Sequence, residues 1–158
     1  MSSFLKALGT FFRVLIVGGD RFKPAQASDP RNSIVYIYRR DTHANGFDPG
    51  IKIDGIEYPV LPNSGYMSFE LRVGSHLLEL VVGHGWSKGS AVPFEVVARV
   101  PSYVRLEVFN RGGGTPLHVL EARPVDAAKA EIEIRKCRLQ DAGRPKFKDR
   151  PEWMNIQH

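Results

Sequence analysis

Residues 66–73, Tyr-Met-Ser-Phe-Glu-Leu-Arg-Val, alternate without a break: Met67, Phe69, Leu71 and Val73 share one face, Tyr66, Ser68, Glu70 and Arg72 the other. Successive side chains of a β-strand point to opposite faces, so this stretch predicts a strand with one face on a core, and Phe69 and Leu71 as core residues. Turn residues bracket it. Pro62-Asn63-Ser64-Gly65 precede it, and Gly74-Ser75 separate it from a second apolar run over residues 76–82, which reads as a hairpin.

The neighbouring stretches repeat the plan. Residues 33–39, Ser-Ile-Val-Tyr-Ile-Tyr-Arg, are β-branched and aromatic on both faces and predict an inner strand covered on each side. Residues 51–53 and 56–61 flank Asp54-Gly55, the dipeptide of a two-residue type I′ turn, which predicts positive φ at Gly55. Residues 91–100, 103–109 and 117–122 complete seven or eight short strands. The expected fold is mainly β, an antiparallel β-sandwich, because one such sheet must bury its apolar face against a second and sequential hairpins pair antiparallel.

The ends of the chain follow different rules. Ser2-Ser3 can cap a helix with Phe4, Leu5, Leu8, Phe11, Phe12, Leu15 and Ile16 on one stripe, Lys6 and Arg13 off it, and Gly18-Gly19 ending it. Residues 1–19 are therefore read as an amphipathic helix and 20–32, polar with Pro24 and Pro30, as a linker with about a dozen residues of slack. Arg13 divides the apolar run, and Gly18-Gly19-Asp20 makes a poor cleavage site, which disfavours a secretory signal. Uninterrupted apolar length falls short of the roughly 18 residues of a membrane span. After Pro124, Asp126 is expected to cap a short C-terminal helix running to about Leu139, with Ala128, Ile132 and Leu139 on its stripe. The sandwich with this closing helix spans residues 33–139, and a basic tail occupies 140–158. Charge is concentrated late: residues 135–158 carry a net +4 of the chain's +5.

The order of short motifs resembles a bacterial domain-of-unknown-function family, many of whose members are small envelope lipoproteins. Its Val-Tyr-Val-Tyr-Arg opening strand is matched by Val35-Tyr36-Ile37-Tyr38-Arg39, its Ile-Asp-Gly hairpin by Ile53-Asp54-Gly55, and its Gly-Tyr strand start by Gly65-Tyr66. Gly74-Ser75-His76-Leu77-Leu78 matches a Gly-x-His-x-Leu turn, and Cys137-Arg138-Leu139 a closing Cys-basic-Leu. The resemblance implies a transthyretin-like or immunoglobulin-like sandwich with no established activity. The lipoprotein cysteine that this family carries ahead of its domain has no counterpart here, since Gly18 and Gly19 stand where it would fall.

Catalytic signatures do not emerge. His43, His76, His84, His118 and His158 lack ligand spacing, so no metal or other cofactor is expected. Gly112-Gly113-Gly114 lacks the Lys and Ser/Thr of a phosphate loop, and Glu131 and Glu133 read as solvent-side alternation. Single Cys137 reads as a small buried hydrophobe. Contact residues are better indicated: Phe4, Leu8, Phe11, Phe12, Leu15, Lys6 and Arg13 for a membrane surface or protein partner, and more weakly His84 and Trp86 on a glycine-rich loop. The tail's basic residues interleave with Phe147, but the strands lack a basic stripe, which disfavours nucleic acid; oligomerisation stays open. The expected function is a noncatalytic binding or adaptor module at the bacterial membrane periphery or envelope, with a cytoplasmic location as the alternative. A structural subunit that packs through helix and tail is the second reading, and a carbohydrate-active enzyme a distant third.

Overall fold

A computed structural model of the chain describes residues 19–40, 48–81, 91–111 and 117–140. The expected N-terminal helix with its seven expected contact residues, the loop carrying His84 and Trp86, and the tail beyond Gln140 lie outside the described residues. In chain order the elements are β1 (Asn32–Arg39), β2 (Gly50–Ile53), β3 (Ile56–Tyr58), β4 (Gly65–Arg72), β5 (Gly74–Val81), β6 (Ala91–Val96), β7 (Ser102–Arg111), β8 (Leu117–Val125), α1 (Ala127–Ile134) and β9 (Arg138–Leu139). They form two sheets packed as a sandwich, one ordered β8-β7-β1-β4-β9 and the other β3-β2-β5-β6.

The inner strand predicted at residues 33–39 is the centre of the five-stranded sheet, and its two faces serve two cores. Val35 and Ile37 point between the sheets, where they meet Ile51, Ile53, Met67, Phe69, Leu78, Leu80, Val104 and Leu106. Ile34, Tyr36 and Tyr38 point the other way, into a second cluster with Tyr66, Tyr103, Ala130, Ile134 and Cys137, packed by Phe22 and Val125. This continuous burial is why the strand carries no polar face.

Two expectations fail on pairing. The strands are not all antiparallel: β1 runs parallel to β7, with Val35 opposite Ser102, and β4 runs parallel to β9. Nor do β4 and β5 form a hairpin. The first pairs with β1 along Asn32↔Arg72 to Tyr38↔Tyr66, whereas the second pairs with β2 and β6 in the other sheet. The chain crosses between sheets in one residue: the Val73 amide still donates to the Arg31 carbonyl, while Gly74 is already opposite Val96. Gly74 makes this corner at φ +134, in a region that side chains disfavour. Val73, on the predicted apolar face, is left 42% exposed as the strand peels away. Phe69 is buried as predicted, and Leu71 packs on the core only partly buried.

The Asp54-Gly55 turn has positive φ at both positions, 50° and 82°, as a type I′ turn requires. Nothing lies within 4 Å of a Cβ added at Gly55. Gly55→Val should therefore fold but lose roughly 1–3 kcal/mol from backbone strain alone, read as a lower denaturation midpoint. Asp54 also anchors the neighbouring corner. Its carboxylate accepts from the Leu77 amide at 2.9 Å and lies 2.6 Å from His76 Nδ1, whose Nε2 donates to the Arg72 carbonyl at 2.7 Å. Partial burial disfavours a charged imidazole, but the Asp54 carboxylate and the Arg72 carbonyl outweigh it and raise the pKa.

The C-terminal helix begins where predicted: the Asp126 carboxylate accepts from the Lys129 amide. It ends earlier and turns another face. Ala130 and Ile134 are buried, followed by Cys137, while Ala128 and Ile132 face solvent. Residues Arg138–Leu139 are not helical but pair with Gly65 and Tyr66.

Candidate functional site

β1 ends at Arg39, β2 starts at Gly50 opposite Val81, and β7 and β8 meet beyond Asn110↔His118. The connections over residues 41–47, 82–90 and 112–116 thus join strand ends on one side of the sandwich, the Arg39 end. Tight turns at Asp54-Gly55, Val73 and residues 97–100 occupy the other end. Because residues on loops at one end of a rigid sandwich commonly carry binding, the Arg39 end is the place to look for function.

Arg39 itself fixes that end. Its side chain is fully buried, donating to Asp48 Oδ1 at 2.7 Å and to the Leu61 carbonyl at 2.9 Å. Its own carbonyl accepts from the Ser64 amide. The guanidinium thereby ties the end of β1 to the chain entering β2 and to the β3–β4 connection. A buried arginine tolerates this only with its donors engaged.

Both ends of the described chain reach this same end. The Leu139 amide donates to the Asp20 carbonyl at 2.8 Å, and Arg21 bridges antiparallel to Arg138. Gly19 sits against the Leu139 backbone at φ +123, where an added Cβ would lie 2.0 Å from the Leu139 carbonyl oxygen. Only glycine allows this approach. Residues 20–32, expected to be slack, are instead pinned across the outer face of the five-stranded sheet. Phe22 packs edge-on against Tyr36 and Tyr66, the Ala25 amide donates to Tyr36 Oη at 2.6 Å, and Ser28, Asp29 and Asn32 all donate to Glu70. Those bonds to the anion, led by the Asn32 side chain and the Ser28 amide, hold the Glu70 pKa down to about 2. The physical reason for docking is Phe22, a large apolar side chain in an otherwise polar stretch.

The flanks of this junction are basic. Arg21 and Lys23 are exposed on either side of inward-facing Phe22, and α1 is followed by exposed Arg135 and Lys136 and half-buried Arg138. Asp20, next to Arg21 in the chain, lies near Tyr66. The helix acids are engaged elsewhere, contrary to the expectation of solvent-side carboxylates. Tyr38 Oη donates to Glu133 at 2.6 Å, Arg105 pairs with Glu133 at 3.0 Å, and Tyr103 Oη donates to Glu131. Burial, reinforced by Glu131, pushes the Tyr103 pKa up to about 12, and burial pushes the Cys137 thiol up to about 11. These tyrosines therefore act as neutral hydrogen-bond donors that fasten the helix to the sheet, and the thiol stays protonated.

A second surface lies at the opposite end: an open groove of about 420 Å³ lined by Ala25, Ala27, Ser28, Ser33, Arg99 and Pro101. Beside it Val73, Val97 and Val100 are all more than two-fifths exposed. Among the described residues no helix is long and apolar enough to cross a membrane, and no three His, Cys, Asp or Glu side chains gather as a metal set. Comparison of the chain with protein-family models and with curated proteins found no match.

Proposed function

We propose that the chain is a noncatalytic β-sandwich module held at a membrane surface of the bacterial envelope by its N-terminal segment, presenting the sandwich as a binding or adaptor unit. The observation that carries this reading is the junction at Gly19. An amphipathic stripe with three phenylalanines and two cations suits a headgroup boundary, and it would leave the sandwich from a fixed point with almost no slack. A domain attached in this way is oriented as well as tethered. The resemblance of five short motifs to envelope proteins points in the same direction.

The test is removal of residues 1–18. The shortened chain is expected to keep its thermal transition and to lose flotation with lipid vesicles. Unfolding on deletion, or undiminished flotation, would overturn the reading; so would a mature chain found by mass spectrometry to begin after Gly19.

Packing as a subunit is the second reading, and the exposed valines at 73, 97 and 100 favour it. On that reading, substitution of these valines, rather than of Lys6 and Arg13, would dissociate the assembly.

A further inference from the structure

We infer that the membrane surface recognised is anionic, and that Arg21, Lys23, Arg135, Lys136 and Arg138 form a second, electrostatic anchor beside the N-terminal one; this rests on the membrane reading above. Two independent features of the fold converge on it. The first is position. The Arg21–Arg138 bridge and the Leu139-to-Asp20 hydrogen bond put the entry from residues 1–18 and the exit to residues 141–158 at the same rim of the sandwich. The N-terminal segment thus joins the domain beside these cations.

The second is charge. None of the five basic side chains forms an ion pair among the described residues. The acids of the adjoining helix are taken: Glu133 by Tyr38 and Arg105, and Glu131 by Tyr103. Beyond the rim the tail continues the pattern with Arg144, Lys146, Lys148 and Arg150 around Phe147. A single weak apolar anchor gives marginal, reversible binding, and a polybasic patch next to it is the usual second signal. Chain geometry that starts the N-terminal segment at the basic rim lets the two signals act on one membrane surface.

Each cation near an anionic surface strengthens binding by roughly fivefold at moderate salt. The full chain is measured by flotation on vesicles of phosphatidylcholine alone and of phosphatidylcholine with a third phosphatidylglycerol. The combined variant Arg21→Gln, Arg135→Gln, Lys136→Gln changes only exposed side chains and should retain the parental melt. It is expected to bind the anionic vesicles about 100-fold more weakly than the parent. Its binding to neutral vesicles should stay unchanged, and added salt should close the gap. A control pair at the opposite end, Arg72→Gln with Arg99→Gln, should stay within about twofold of the parent. Equal binding of the parent to both vesicles, with no effect of the rim variant, would overturn the electrostatic anchor and leave the membrane reading standing. Binding to neither vesicle would remove the membrane reading and the anchor together. Loss of RNA binding in the rim variant, with vesicle binding intact, would assign the rim to nucleic acid instead.

Discussion

Arg39→Ala is expected to lower the stability of the sandwich by about 3–5 kcal/mol, a large share of the roughly 5–15 kcal/mol available to a domain. The substitution empties a fully buried site and strands the Asp48 carboxylate, itself 27% exposed, together with the Leu61 carbonyl. Arg39→Met keeps the apolar stem volume and should lose less, since water can still reach Asp48. Urea denaturation of the three proteins checks both the magnitude and the order. An alanine variant within about 1 kcal/mol of the parent would show that the guanidinium does not hold the three segments together.

Phe69→Ala should be as severe, at about 3–5 kcal/mol. Its ring lies between the sheets and meets Tyr58 edge-on at 4.8 Å, so truncation opens a cavity and removes an aromatic contact at once. Leu71→Ala, two residues along the same face, should cost clearly less because Leu71 is only partly buried where β4 approaches its corner. The same denaturation series decides the ranking. Equal losses at the two positions would mean that the strand stays on the core past Leu71.

Much of the sandwich was legible because burial writes itself into sequence. The doubly apolar pattern of residues 33–39 marks the central strand, Asp54-Gly55 marks the β2–β3 turn, and Asp126 marks the helix start. Partner choice was not legible. The alternation of residues 66–73 says that a strand has two faces, and it says nothing about whether the next strand joins the same sheet; here Gly74 carries it into the other. Two-residue β9 leaves no pattern at all, since its pairing with Gly65 and Tyr66 is a matter of backbone hydrogen bonds.

The candidate site shows the same division. The cationic and aromatic character of the chain ends can be read directly from residues 1–18 and 135–158. That the two ends meet cannot, because the meeting depends on Gly19 lying against Leu139, a contact between residues 120 positions apart in the chain. Phe22 was the available signal: a lone large aromatic between Arg21 and Lys23 argues against a slack linker. The role of Arg39 was masked by its position at a strand end, where a charged residue ordinarily turns to solvent.

Orientation at the membrane is the most direct measure of the whole reading. The Arg39 end and the Val73 end are separated by an eight-residue strand, roughly 25 Å. Spin labels can be attached singly at Lys136→Cys and at Val97→Cys, with the buried native thiol removed by Cys137→Ala. On vesicles containing anionic lipid, a lipid-soluble relaxation agent should broaden the label at position 136 strongly and leave the label at position 97 close to its value in solution. Equal broadening at both positions, or stronger broadening at 97, would contradict a sandwich held to the membrane by its Arg39 end.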